Sequence, residues 1–379
     1  MKTLALHRVT FLLSLVLCQC YAFCAESIDS TQTLNDTVAT HLEIKAKPAQ
    51  ARFLRNEEKI QNIKGKINND PILNRIRRFF ATDTAYVFKP KQKMSATLHN
   101  QLFLDFLEFY IPHSEDYVYG LSMRSPVRYN IGFSFAYRPF SVSYSLHVNN
   151  IANYNLSGIQ RTRVHMLNSR FLFDLTFFSD DGKQYVTNYR LGDIKEKYKY
   201  KDVSFDGYKF YYVNVQMDWF FNHRKYSASA TNSCSSIQKR SAGSFFAGAS
   251  YSFQNFSADC TLLPDNIQTT FPIKSKINTN SHDFCIDFGY AHNFVFWKKR
   301  LTYNITALPR LGVKRFFQNG DGPKYFVALN PSTDMALVYN RSRYFVNLRI
   351  HADMLYNLQN KNLLITSLTD YKISVGVRF

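Results

Sequence analysis

From about residue 95 onward, apolar and polar side chains alternate with a period of two. Tyr129, Ile131, Phe133, Phe135 and Tyr137 alternate with Asn130, Gly132, Ser134 and Ala136. Phe140, Val142, Tyr144, Leu146 and Val148 alternate with Ser141, Ser143, Ser145 and His147. Tyr371, Ile373, Val375, Val377 and Phe379 alternate with Lys372, Ser374, Gly376 and Arg378. Successive side chains of a strand point to opposite faces, so this period predicts strands. The same reading places strands at 95–108, 161–178, 184–191, 208–221, 225–232, 243–256, 282–296, 301–315, 325–330, 335–340, 343–356 and 362–379. Several have about ten residues or more, the length that crosses a bilayer when tilted. Strands of ordinary globular domains are nearer five or six residues.

Short polar turns join these strands into an antiparallel meander: 179–183, 222–225 and 340–343. No βαβ rhythm is present, which argues against a doubly wound α/β fold. The expected fold is all-β: an antiparallel transmembrane β-barrel of about 12 strands, within a range of 10 to 14, preceded by a short, partly helical N-terminal segment. If all three turns lie at one end, an even number of strands separates 225 from 340. The stretch 325–340 is then either one strand interrupted at Pro331 or two short ones. A soluble sandwich with its aromatic faces buried against each other shows the same alternation. Length favours the barrel, as do the aromatic clusters before turns, Trp219-Phe220-Phe221 and Phe294, Phe296 and Trp297.

The first residues change the picture of location. Lys2, His7 and Arg8 precede the apolar run 9–17, and small residues follow at Ala22, Cys24 and Ala25. This pattern predicts a signal peptide at 1–24. A lipoprotein signal needs a small residue before the modified cysteine, and Leu17, Gln19 and Phe23 stand in those places. Residues 25–85 are read as a basic, partly helical periplasmic segment, and 86–379 as the barrel. Ile60, Ile63 and Ile67 share one helical face, as do Ile72, Ile76, Phe79 and Phe80 after Pro71, with Arg75, Arg77 and Arg78 beside them. Such a segment suits either an anionic lipid surface or docking against the barrel.

The chain has 379 residues, 47 Lys and Arg against 28 Asp and Glu, and a net charge of +19. Loss of Lys2 and Arg8 with the signal leaves +17. Three cysteines then remain, Cys234, Cys260 and Cys285; an odd number is no disulfide framework, and their spacing does not suit zinc. No phosphate-binding glycine loop occurs, so no cofactor or metal is expected. Export makes nucleic acid an improbable partner, and the basic charge suits anionic lipid equally well.

The last alternating strand, with Tyr371, Ile373, Val375, Val377 and Phe379 on one face, resembles the C-terminal assembly signal of outer-membrane barrels. That resemblance implies the bacterial cell outer membrane as location. It implies outer-membrane lipid, including lipopolysaccharide, and the barrel assembly machinery as partners. The stretch 208–253 carries Tyr208-Lys209-Phe210-Tyr211-Tyr212, Phe221-Asn222-His223-Arg224-Lys225-Tyr226-Ser227 and Gln238-Lys239-Arg240-Ser241-Ala242-Gly243-Ser244-Phe245. It resembles a family of exported proteins from Bacteroides-type bacteria known only as a domain of unknown function, with similarity from about residue 85 to the end. The family implies no activity.

The polar face of the strands carries the candidate site, a lumen charge network of Arg128, Arg138, Arg170, Asp174, Asp218, Asp283, Asp287, Arg349, Asp353, Lys372 and Arg378. A catalytic site needs a nucleophile, a base and an orienting group within reach. Ser241 and Ser244 around Gly243 do not form a nucleophile elbow, and His165 and His351 lie on different strands. Asp283 and Asp287 are roughly 13 Å apart along a strand, too far to act as a pair. The expected function is a non-enzymatic outer-membrane barrel, either a narrow pore or ligand-binding barrel with a positive lumen for an anionic solute, or a structural or interaction barrel. A lipid-modifying enzyme is the third reading.

Overall fold

The strand pattern closes on itself. The computed structural model describes residues 71–379 apart from 113–117, 139, 148–159, 182, 191–197, 270–272, 274, 319–321 and 360–361. The signal peptide read at 1–24, and Ile60, Ile63 and Ile67, lie outside the described residues. A helix α1 (Pro71–Phe79) starts on a proline, which suits the first turn because that N–H has no helical partner. A two-residue strand β1 (Val87–Phe88) follows. Then come β2 (Met94–Pro112), β3 (Val118–Arg124), β4 (Arg128–Tyr137), β5 (Phe140–His147), β6 (Gln160–Leu167), β7 (Phe171–Asp180), β8 (Gln184–Arg190), β9 (Tyr198–Phe205) and β10 (Tyr208–Phe220). The second half holds β11 (Ile237–Gln238), β12 (Ala242–Asp259), β13 (Lys276–Phe296), β14 (Leu301–Leu308), β15 (Arg310–Gln318), β16 (Lys324–Leu329), β17 (Ser332–Arg341), β18 (Tyr344–Gln359) and β19 (Asn362–Arg378).

Neighbours in sequence pair antiparallel around the wall, and β19 pairs with β2 from Leu363↔Tyr110 to Arg378↔Ser95, which closes the ring. Three wall positions are each shared by two strand pieces. β3 and β4 both lie against β2, β14 and β15 both lie against β13, and β16 and β17 face β15 and β14. The breaks fall at Pro126, Pro309 and Pro331, each lacking the N–H that a ladder needs. Flanking groups bridge them: Ser125 N–H donates to Asp105 O, Phe288 N–H to Pro309 O and Met354 N–H to Pro331 O. The wall therefore has 12 strands.

Several local expectations need correction. Residues 225–232 are not a strand; they form a turn and a short 3-10 helix (Ala228–Ala230). Residues 324–341 form one interrupted strand, so four strands lie between 242 and 341 and the parity holds. The connection read at 179–183 follows β7 at the opposite end from those at 222–225 and 340–343. It leads into the hairpin β8–β9, which pairs with β3 and does not enter the ring. Residues 161–178 are two strands joined at Asn168–Arg170, where Asn168 Oδ1 accepts from the N–H of Phe171 at 2.7 Å.

The apolar side chains face outward. Tyr129, Ile131, Phe133, Phe135 and Tyr137 are exposed, and Ile286 is 73% exposed in mid-strand. A sandwich would bury this face against a second sheet; a single closed sheet turns it to lipid. Trp219 faces out, whereas Phe220 faces in against Tyr226 and Phe246. No helix among the described residues is long and apolar enough to cross a membrane, so the crossing is made by strands. Because every wall strand is paired on both sides, the unboiled protein in detergent is expected to migrate apart from the boiled protein on a gel; identical mobility would contradict closure.

Candidate functional site

Among the described residues, most buried polar side chains lie on the inward face of the wall, which is largely filled. The near end, where Met94 and Phe379 exchange backbone hydrogen bonds, is stopped by the connection 221–241 between β10 and β12. Tyr226, Ser227, Ala228, Ala230, Thr231, Cys234 and Ser236 are buried there. The wall supplies the partners that this loop lacks internally. Asn293 Nδ2 donates to Ser227 O at 3.0 Å, and Asn347 Nδ2 donates to Thr231 O at 2.9 Å. Arg378 donates from Nε at 2.8 Å and Nη2 at 2.6 Å to Cys234 O, and Arg138 Nη2 donates to Ser235 O at 2.7 Å. Buried carbonyls need such donors, so these side chains fix the loop inside the barrel. Cys234 takes a left-handed backbone, φ 51°, which aims its carbonyl at Arg378. The hydroxyls of Ser227, Ser229 and Ser236 close a triangle of 2.7 to 3.1 Å edges that ties the loop to itself.

Residues 79–93 strap this loop from below. β1 pairs with β11 as Val87↔Gln238, and Lys239 N–H donates to Tyr86 O at 2.6 Å. Arg170, read from the sequence as a lumen charge, lies in the near-end turn instead. Its guanidinium sits 3.7 Å from the Phe79 ring centroid and donates to Phe79 O and to His223 Nε2 at 3.1 Å. Burial, then the neighbouring Arg170 and Arg224, hold the His223 imidazole below its usual pKa. The neutral ring can therefore accept the Arg170 hydrogen bond.

Ion pairs fill the middle of the lumen. Arg163 meets Asp174 at 2.7 Å, Lys314 meets Asp283 at 2.7 Å, and Arg128 meets Asp180 at 2.8 Å. Asp283 also accepts from Gln254 and Asn330, and Asp287 accepts from Ser250 at 2.8 Å. Asp218 accepts from Gln216 at 2.6 Å. A chain of five groups runs Arg349–Asp334–His351–Asp353–Arg310, with His351 Nδ1 3.2 Å from Asp334 and Nε2 3.0 Å from Asp353. Both ring nitrogens of His351 are engaged by carboxylates, so it bridges charges and is not poised as a base toward a nucleophile.

Lys372 lies beside Ser143, lining a polar cavity of about 60 Å³ between the loop and the ion pairs, with Arg163, Arg349, Asn232 and Ser233. Among the described residues, nine buried aspartates (105, 174, 180, 218, 283, 287, 334, 353 and 370) face six Lys and Arg (128, 163, 310, 314, 349 and 372), with Arg138 and Arg378 at the near rim. The lumen is therefore close to charge balance and is not a positive passage. No cluster of metal-ligating type occurs among the described residues, and Cys234, Cys260 and Cys285 are buried free thiols.

Arg163, Arg310, Lys314 and Asp334 escaped the sequence reading. Reading 161–178 as one strand put the turn residue Arg170 in phase with Asp174 and hid Arg163. Asp334 fell in the gap between 325–330 and 335–340. Lys314 was legible: Leu311 and Val313 point outward, so Arg310, Gly312 and Lys314 point inward.

Beyond the ions, the far end of the lumen is apolar. Leu107, Met123, Phe178, Val186, Phe205, Tyr208, Phe210 and Phe256 pack with Leu263 and Ile267 of the 260–275 connection. The hairpin β8–β9 contributes Val186, Tyr189 and Phe205 to this cluster. The strip Tyr371, Ile373, Val375, Val377 and Phe379 faces outward, 36 to 58% exposed.

No curated protein matches the sequence. Among solved structures, the outer membrane protease OmpT from Escherichia coli aligns at 6% identity and a TM-score of 0.40, over 77% of this chain and 98% of that one. The P. putida toluene transporter TodX aligns at 7% identity and a TM-score of 0.26, over 76% and 91%. The transport unit of the autotransporter AIDA-I from Escherichia coli aligns at 9% identity and a TM-score of 0.23, over 76% and 90%. At such identities nothing of their chemistry transfers. A family described as a domain of unknown function (DUF4421) matches residues 81–379, from the strap to the last strand, and the chain belongs to that family.

Proposed function

We propose that this chain is a non-enzymatic barrel of the bacterial outer membrane that is closed to ions and acts by binding, not by conducting. One observation carries the reading: the lumen is stopped three times over, by the inward loop held on Asn293, Asn347 and Arg378, by the ion-pair layer, and by the apolar cluster at the far mouth. An open pore needs a continuous hydrated path, and the described lumen is packed with side chains.

The outward aromatic face suits outer-membrane lipid, including lipopolysaccharide. The exposed strip from Tyr371 to Phe379 suits recognition by the barrel assembly machinery. The charge balance disfavours an anionic solute in the middle of the lumen. Folded protein in a planar bilayer is expected to give no steady conductance at moderate voltage. A stable, ion-selective conductance from protein with the heat-dependent gel shift would overturn the reading in favour of a pore.

A further inference from the structure

One sector of the near-end rim is uniformly basic. The turn 297–300 joins β13 to β14 and carries Lys298, Lys299 and Arg300. The turn 342–343 joins β17 to β18, and Arg341 and Arg343 flank Ser342 there. β14 pairs with β17, and Asn340 N–H donates to Arg300 O at 2.8 Å, so the two turns lie side by side. All five cations are exposed, and none makes an ion pair among the described residues. The segments around them, 290–304, 336–350 and 371–379, contain no Asp or Glu. Like charges so gathered repel one another until an anion stands among them.

Depth identifies the anion. The last outward side chains before these turns are aromatic: Phe294 and Phe296 on β13, Tyr339 on β17 and Tyr344 on β18. Trp297, 68% exposed, stands 6.0 Å from the Tyr339 ring, and Arg341 faces Tyr344 in the ladder. Such a belt marks the level of lipid headgroups, so the cations beside it meet phosphates. The near-end turns 138–139, 168–170, 297–300 and 342–343 are short, whereas the far end carries the connections 148–159 and 260–275. Short turns of bacterial barrels face the periplasm, which puts this rim in the phospholipid leaflet.

The backbone of these turns is unusual as well. Trp297, Lys298 and Lys299 take φ of 44°, 54° and 66° in succession, and Ser342 takes 41°. Non-glycine residues avoid this left-handed region, and where it persists it clusters at sites that hold a ligand.

We infer that the paired turns 297–300 and 341–343 form a site for an anionic phospholipid headgroup, a phosphodiester that carries no ammonium group. The inference deepens the outer-membrane reading and rests on it. A zwitterionic headgroup brings an ammonium that meets five cations and no carboxylate. A net-negative headgroup neutralises the sector, with Lys and Arg donating to its phosphate oxygens.

The chain has two tryptophans, Trp219 and Trp297, so Trp219→Phe leaves one fluorescent reporter at the site. This protein is reconstituted in phosphatidylcholine vesicles with a minor fraction of lipid brominated on its acyl chains, which quenches an indole on contact. Quenching is expected to show brominated phosphatidylglycerol preferred over brominated phosphatidylcholine about tenfold at Trp297, since each Lys or Arg near a headgroup is worth about fivefold. The triple variant Lys298→Gln, Lys299→Gln and Arg300→Gln is expected to reduce the preference to about twofold or less. Arg341→Gln with Arg343→Gln is expected to lower it severalfold. Lys209→Gln, Lys276→Gln and Arg315→Gln remove the same charge from exposed far-end positions and are expected to leave it unchanged.

Equal quenching by the two lipids in heat-shifting protein would overturn the inference. So would a preference that survives the triple turn variant, or one that falls as far in the far-end variant. Displacement by free glycerol phosphate at matched ionic strength would assign the sector to a soluble phosphate and overturn the lipid assignment. Trp297 unquenched by either lipid fails the membrane reading itself; Trp297 quenched without preference fails this inference alone.

Discussion

Lys314→Met is expected to cost about 3–5 kcal/mol of folded stability, because it strands a buried carboxylate. The Lys314 and Asp283 side chains are 1% and 0% exposed, and the ammonium neutralises the one carboxylate that also gathers Gln254 and Asn330. The physical origin is desolvation: neither charge has water to fall back on, so each depends on the other. The double variant Lys314→Met with Asp283→Asn keeps an acceptor for Gln254 and Asn330 and removes both charges. It is expected to recover most of the loss. Equilibrium urea unfolding of the detergent-solubilised protein measures both, and the coupling follows from the cycle. Equal losses in the single and double variants would mean that the pair contributes packing alone.

Gly312→Val is expected to abolish the heat-resistant form. A Cβ at residue 312 would stand 2.6 Å from Cys285 Cα and closer still to the Phe284 carbonyl oxygen. Both obstacles are backbone of the paired strand, since Gly312 faces Cys285 in the β13–β15 ladder. A side chain could rotate away; a ladder must part, so the cost lies at or above the upper end of the usual overpacking range of about 1–3 kcal/mol. Gly322 is the control, because nothing lies within 4 Å of its added Cβ. Gly322→Ala is expected to change stability by less than about 0.5 kcal/mol. Gel mobility across a temperature series reads both, and a Gly312→Val protein with normal heat resistance would refute the argument.

The wall was legible in the sequence because alternation is a local signal that a single strand carries by itself. The stretches 129–137 and 371–379 show the period without interruption, and both form wall strands with their aromatic sides out. The misreadings come where local pattern and long-range pairing diverge. Tyr226, Ala228 and Ala230 recur at every second position and mimic a strand, yet the backbone there is a turn whose carbonyls are satisfied by Asn293 and Asn347 from across the lumen. Residues 184–190 do form a strand, but besides β9, a strand the alternation does not mark, it pairs with β3, about sixty residues away in sequence, and nothing in its own pattern names that partner. Pro331 is read from the sequence as a possible strand end, whereas the hydrogen bond from Met354 carries the ladder past it; at Pro309 the continuous reading of 301–315 misses a break that Phe288 bridges in the same way. Charge was the least legible property. The Lys and Arg of the lumen pair with aspartates on other strands, so the balance of the lumen emerges only when the ring is closed.

The attachment of the inward loop to Arg378 bears on how the barrel is made. Cys234 and Arg378 are 144 residues apart, and Thr231 and Asn347 are 116 apart. The seam joins Gln101 to Asp370 across 269 residues. Contacts of such long range form late, because chain entropy opposes them until most of the wall exists. The strand that seals the cylinder is therefore also the one that latches its stopper. Until β19 docks, the loop lacks its anchor at Cys234 and the wall lacks its seam; once it docks, sealing the wall and fixing that anchor are a single event.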